Sequence, residues 1–208
     1  MKKFVYAAVL ALSSMVSAHA DTITGLVNTG TGASGTQDTN YVLNGTSNGY
    51  VTANGTFPLA GNWLANTDTS KWITPSQNQG QSFDATSNGT YIWTLTFNLS
   101  GYNPATASFS GQFAADNSAT VSLNGNTIGT GNGFSSFSSF AASSGFVAGT
   151  NVLSFVVTNL AQNGGNPTGL RAEFLASSVT AVPEPETYAM LLAGLGLMGV
   201  VARRRKQA

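Results

Sequence analysis

YIWTLTFNLS, residues 91–100, decides the fold class: Tyr91, Trp93, Leu95, Phe97 and Leu99 are apolar, whereas Thr94, Thr96, Asn98 and Ser100 are polar. Successive side chains of an extended chain point to opposite sides, so this period of two predicts a β-strand with one buried face. The same signal continues downstream. Phe109 and Phe113 carry the alternation through TASFSGQFAA, and Ala119, Val121 and Leu123 form a further run. Asn124 and Gly125 then supply the dipeptide that a type I′ hairpin turn favours, leading into Thr127–Gly129. Val152–Leu160 and Leu170–Leu175 are strong strand candidates, while Thr22–Val27, Tyr41–Leu43, Tyr50–Ala53 and Trp72–Thr74 are shorter ones punctuated by Gly, Asn, Asp and Pro. Residues 133–149, with Phe134, Phe137, Phe140 and Phe146 spaced by Ser, Ala and Gly, read equally as an irregular strand or a loop covering the core. No helical period is sustained between the terminal segments and no repeat of solenoid or propeller length is present. The expectation is an all-β, antiparallel β-sandwich or jelly roll.

Asp21, Asp38, Asp68, Asp84, Asp116 and Glu173 face only Lys71 and Arg171 in the stretch between the terminal segments, so the body is mildly acidic although the whole chain has a formal net charge of +0. Two basic residues cannot form a phosphate-binding surface, which excludes nucleic acid as an expected partner. Low charge with abundant Gly, Asn, Ser and Thr is offset by alternating aromatic and β-branched residues, so the body is expected to fold rather than remain disordered. At about 160 residues it buries roughly 70% of its unfolded surface without disulfide support, and the chain has no cysteine.

The two ends read as addresses. Lys2 and Lys3, the apolar run Phe4–Val16 and the Ala18-His19-Ala20 site form a secretory signal peptide over residues 1–20, cleaved between Ala20 and Asp21. Its removal takes away His19, the one histidine. At the other end, residues 182–208 open with Val182 followed by Pro183, Glu184 and Pro185, an extended and solvated motif. The uncharged stretch from Tyr188 to Ala202 follows, and then a basic stop of Arg203, Arg204, Arg205 and Lys206. As a helix the uncharged stretch is about 22 Å long against about 30 Å of bilayer hydrocarbon, a short transmembrane helix with the basic cluster left in the cytoplasm.

VPEPETYAMLLAGLGLMGVVARRRKQ resembles the PEP-CTERM sorting signal of Gram-negative bacteria. That resemblance implies recognition and cleavage by a membrane-embedded exosortase. The protein would be transiently bound to the inner membrane, then released to the cell envelope, the surface or an extracellular polysaccharide matrix. The body, residues 21–181, resembles galactose-binding-domain-like modules through YIWTLTFNL, SFSGQFAADNSATVSLNGNTIG, GTNVLSFVVTN and TGLRAEF. This second resemblance implies a jelly roll that binds carbohydrate, with a structural calcium ion on Asp116 and Asn117.

Without histidine or cysteine in the body, a Ser-His-Asp or Cys-His site cannot be assembled, and histidine-containing zinc sites are likewise excluded. The remaining catalytic option is a glycosidase-type pair of carboxyls about 5 to 9 Å apart, but Asp38, Asp68, Asp84 and Asp116 lie in turn-like sequence, where Asp commonly caps its own backbone. No enzyme activity is expected. Sugar binding asks only for an exposed aromatic face and hydroxyl-binding polar groups, and Trp63, Trp72, Asp116, Asn124, Asn159 and Arg171 are of the right types. Each has a structural alternative: Trp72 as core, Asn124 as a turn residue, Arg171 paired in solvent with Glu173. A matrix component with no binding site is the competing function.

Overall fold

The structure, a computed structural model, describes residues 20–182 and 185–206. Ala18 and most of the expected signal peptide lie outside the described residues, as do Pro183 and Glu184. The elements are β1 (Ala20–Asp21), β2 (Gln37–Leu43), β3 (Ser47–Val51), β4 (Ile73–Thr74), β5 (Gly89–Asn98), β6 (Tyr102–Leu123), β7 (Asn126–Ala142), β8 (Thr150–Asn159), β9 (Gly169–Ala181) and α1 (Pro185–Lys206). All strand pairs are antiparallel, and the strands close a ring in the order β9-β4-β3-β2-β5-β8-β6 and back to β9. β7 flanks β6 and β1 flanks β9.

β6 holds the two halves of this flattened barrel together. Its first part pairs with β9, from Tyr102 opposite Ala181 to Asp116 opposite Gly169; its last part pairs with β8, from Ser118 opposite Thr158 to Leu123 opposite Leu153. The change of neighbour falls at Asp116 and Asn117, where β8 and β9 diverge and the connection of residues 160–168 spans the gap between them.

β5 realises the alternation of its sequence, with Trp93, Leu95 and Phe97 buried and Thr94, Thr96 and Asn98 turned outward. Tyr41, Phe113, Val121, Leu153, Phe155 and Leu170 complete the main core around it. The Phe/Ser segment continues as strand β7 up to Ala142 before becoming loop. Phe140 enters the main core edge-on to Phe109, Phe155 and Phe174, at centroid distances of 6.0, 5.5 and 5.7 Å. This approach needs Gly111, where an added Cβ would lie 2.3 Å from the Phe140 ring.

The amino-terminal expectation needs correction. Thr22–Val27 is not a strand, because the chain turns at Thr24 and Gly25, the latter at φ +92°, and pairing is confined to Ala20–Asp21 against Val179 and Thr180. Asp116 is also not a turn residue; it lies inside β6.

Candidate functional site

A second, smaller apolar cluster lies on the side of β6 and β9 that faces away from the main core. Ala114 of β6 meets Leu59, Trp63 and Trp72 there, with Leu64, Phe134 and Phe137 at its margin. Residues 59–72 therefore lie across the outside of the barrel, and a buried ion pair fixes them in place. Arg171 is 2% exposed and pairs with Glu173 at 2.9 Å. The guanidinium also donates to Ser70 Oγ at 2.6 Å, to Thr67 Oγ1 at 3.0 Å and to the carbonyl of Ala65, and it stands 5.0 Å from the Phe137 ring centroid. Glu173 accepts from Ser70 and Gln112, each at 2.7 Å. Burial alone would raise the Glu173 carboxyl, but the hydrogen bonds from Ser70, Gln112 and Arg171, with the charge of Arg171, hold it below its ordinary value. Arg171 and Glu173 do share one strand face, yet they are not the solvated pair expected: the overlying loop removes water from both.

Beside this cluster, where β6 changes neighbours, a cleft of about 140 Å³ opens between Phe57, Asn62, Trp63, Asp116, Asn117 and the 162–167 segment. Asp116 is 5% exposed. Its Oδ2 accepts from Trp63 Nε1 at 2.9 Å, its carbonyl accepts from Thr168 Oγ1 at 2.7 Å, and its Oδ1 is buried with no hydrogen-bond partner. Burial raises this carboxyl to about 6, against a smaller lowering by the Trp63 N–H. The cleft is thus lined by a buried carboxyl, one oxygen of which is closed off from solvent and has no partner within the protein.

Asn117 Oδ1 accepts from the Leu160 backbone N–H at 2.7 Å, and Asn166 donates to the carbonyls of Phe83 and Leu160 at 2.8 and 2.9 Å. These bonds fix the wall of the cleft. Asn62 and Gln162 are exposed at its rim, and Phe57 is 50% exposed.

Three of the residues singled out in the sequence, Trp63, Asp116 and Asn117, therefore come together. The others do not present themselves to a ligand. Trp72 is fully buried beneath Trp63, with ring centroids 4.2 Å apart, and donates its Nε1–H to the Leu64 carbonyl at 2.8 Å. Trp63 is itself only 5% exposed, so it walls the cleft and is not an open stacking platform. Asn124 holds the β6–β7 turn at φ 49°, donating to Gly145 O and Asn151 Oδ1 and accepting from Val152 N. Asn159 is buried and donates to Asp84 Oδ2 at 2.8 Å.

Asp116 and Asn117 do not by themselves supply a calcium ligand set. Ca²⁺ takes six to eight oxygens, whereas Asp116 has one free oxygen and Asn117 Oδ1 is already engaged. Among the described residues no group of three or more His, Cys, Asp or Glu is placed to hold a metal.

Phe57, Asn62, Gln162 and Asn166 were not found from the sequence. One signal existed: Phe57 stands in NGTFPLAGNW, a stretch with no alternating face to bury it.

Beyond the body, β9 ends at Ala181 and the Val182 N–H donates to Gly101 O at 2.9 Å, after which α1 runs from Pro185 to Lys206. Its residues 191–205 are exposed throughout, including Leu192, Leu197 and Val200. An apolar stretch with a basic end and no covering surface has the order of parts of a sorting signal.

Residues 181–206 are a PEP-CTERM protein-sorting motif. The PEP-CTERM motif marks an exported chain, anchored in the membrane at its carboxyl-terminal end before an exosortase processes it. Among the described residues no helix is long and apolar enough to cross a membrane. The solved structures similar to the chain include the following two. One is a family 35 carbohydrate-binding module from an environmental isolate, 14% identical over 81% of this chain and 96% of the module, with a TM-score of 0.27. The other is a PA14 sugar-binding domain from an RTX adhesin, 14% identical over 57% of this chain and 81% of that domain, with a TM-score of 0.26. No curated protein is a significant match to the chain.

Proposed function

We propose that this is an exported, exosortase-processed protein whose body, residues 21–181, binds carbohydrate in the Asp116 cleft without catalysing a reaction. One observation carries the reading: Asp116 is almost wholly buried, yet one of its carboxyl oxygens has no partner within the protein. A buried polar group left unpaired costs about 1–3 kcal/mol; Oδ1 has almost no accessible surface, so a ligand hydroxyl relieves that cost once side chains lining the cleft move aside. The exposed amides of Asn62 and Gln162 and the half-exposed ring of Phe57 supply the remaining elements of sugar recognition, hydrogen bonds to hydroxyls and an apolar surface for ring C–H groups.

Catalysis is disfavoured by the carboxyl inventory. Among the described residues Asp116 is the one carboxyl lining the cleft, and Glu173 is held in its ion pair, which weighs against a glycosidase pair there. After processing, the protein works in the cell envelope or in an extracellular polysaccharide matrix.

The test is a glycan array probed with full-length protein in a detergent that contains no sugar. Saturable binding to a defined glycan is expected, weakened about tenfold or more by Asp116→Asn with unchanged melting cooperativity. Silence across the array would favour an inert matrix component, and release of shortened products would favour a glycosidase.

A further inference from the structure

Phe57 lines two depressions at once. On one side is the Asp116 cleft of about 140 Å³; on the other is a groove of about 590 Å³ bordered by Ser34, Thr56, Gln77, Asn78 and Gly80. We propose that the two form one continuous binding groove for an uncharged glycan chain several sugar units long, with Phe57 stacked on a unit midway and amide groups flanking it on both sides. This rests on the carbohydrate reading above and extends it from a single sugar to an internal stretch of a polymer.

Size is the first argument. Pockets that enclose a small ligand measure about 300–1,000 Å³; the cleft falls below that range and the neighbouring groove within it, so the cleft alone suits one end of a larger ligand.

The second argument is that Phe57 is held in place before any ligand arrives. Gln79 Oε1 accepts from Ala53 N at 2.8 Å. Its Nε2 donates to Thr56 Oγ1 at 2.8 Å, to Ala53 O at 3.1 Å and to Phe57 O at 3.2 Å. One side chain thereby ties down the whole 53–57 loop. Gly80 runs against the ring, where an added Cβ would lie 3.3 Å from Phe57 Cδ1. An exposed aromatic ring fixed in this way loses little freedom when a sugar covers it, which is the condition for a stacking platform.

The third argument is charge. Beyond Phe57 the groove is bordered by the exposed amides of Gln77 and Asn78 and by hydroxyls, and neither depression is lined by Lys or Arg. A polyuronate or sulfated chain would find no counter-charge and would meet the Asp116 carboxyl, whereas a neutral chain exchanges hydrogen bonds along the full length.

The experiment is a calorimetric titration of full-length protein in sugar-free detergent with ladders of one to six units from neutral glucans, galactans and mannans, with a polyuronate ladder as the charged control. On at least one neutral ladder, affinity is expected to rise tenfold or more between one and four units and then level off. Phe57→Ala and, separately, Asn78→Ala should flatten that rise. Because Phe57→Ala can loosen its loop, Asn78→Ala serves as the independent variant: Asn78 is exposed, and its thermal midpoint should match the unaltered protein. Equal affinity for one unit and six overturns the continuous groove and leaves single-sugar binding intact. Tighter binding of the uronate ladder than of every neutral one also overturns it. No heat from any ladder overturns both the groove and the carbohydrate reading.

Discussion

Asp116 gives a stability signal whose sign is opposite to that of most carboxylates. Its carboxyl rises from 3.8 to about 6 on folding because burial penalises the charged form. Between these values the folded state holds the proton and the unfolded state has released it, so stability falls as pH rises from about 4 to 6 and levels off above. At 1.36 kcal/mol per tenfold change, the full loss is about 3 kcal/mol, of which about 1 kcal/mol falls between pH 5 and pH 7. Glu173 acts in the other direction: its lowered carboxyl contributes stability above its unfolded value of 4.5 that is lost as pH falls through the folded value, so it is nearly silent in this window. For a domain of this size 1 kcal/mol corresponds to about 2–4 °C in melting temperature. The assay is thermal unfolding followed by near-ultraviolet circular dichroism at pH 5 and pH 7. The unaltered protein should melt about 2–4 °C lower at pH 7, and Asp116→Asn, which cannot ionise but keeps an acceptor for Trp63 Nε1, should show no such loss and should be the more stable of the two at pH 7. A pH-independent melting point in the unaltered protein, or the same slope in Asp116→Asn, refutes the assignment of a buried, half-unpaired carboxyl.

Arg171→Ala leaves Glu173 charged and buried without its partner, so denaturant unfolding should show a loss of about 3–5 kcal/mol, with Trp63 and Trp72 becoming more accessible to a fluorescence quencher. Gly111→Ala places a Cβ against both the Phe140 ring and the Glu173 carbonyl; overpacking of this kind costs about 1–3 kcal/mol, read as a lower denaturation midpoint. Replacing Arg203, Arg204 and Arg205 together with Gln removes the basic stop, and fractionation of cells should find an unprocessed chain of full carboxyl-terminal length.

How much was legible depended on whether a residue's surroundings lie near it in the chain. β5 could be read because one face meets the core and the other meets water, which leaves the period of two intact. β6 was harder: Ala114 and Ala115 are both buried, since a second layer of residues 59–72 covers the outer face, and a single long strand read as two runs. The strand character of β7 was hidden by glycines against which its own later residues pack, Gly129 against Phe140 and Gly131 against Ser138, and by Phe137, which turns outward to Arg171 while Phe140 turns inward. Asp116 was identifiable by type, but its burial depends on Trp63, 53 residues earlier in the chain. The Arg171–Glu173 spacing correctly placed both on one face; nothing in that spacing announced the loop that buries them. For Phe57 the lack of periodicity around it signalled only that no strand face buries the ring, not which cleft it would line.

Delivery outside the cell is the claim on which any role for the cleft depends, and intact-mass analysis of the protein recovered outside its native host cells tests it most directly. The expected chain begins at Asp21 and lacks Met198 through Lys206. A recovered chain that still carries Arg203–Lys206 would contradict exosortase processing and leave a protein that is tethered rather than released.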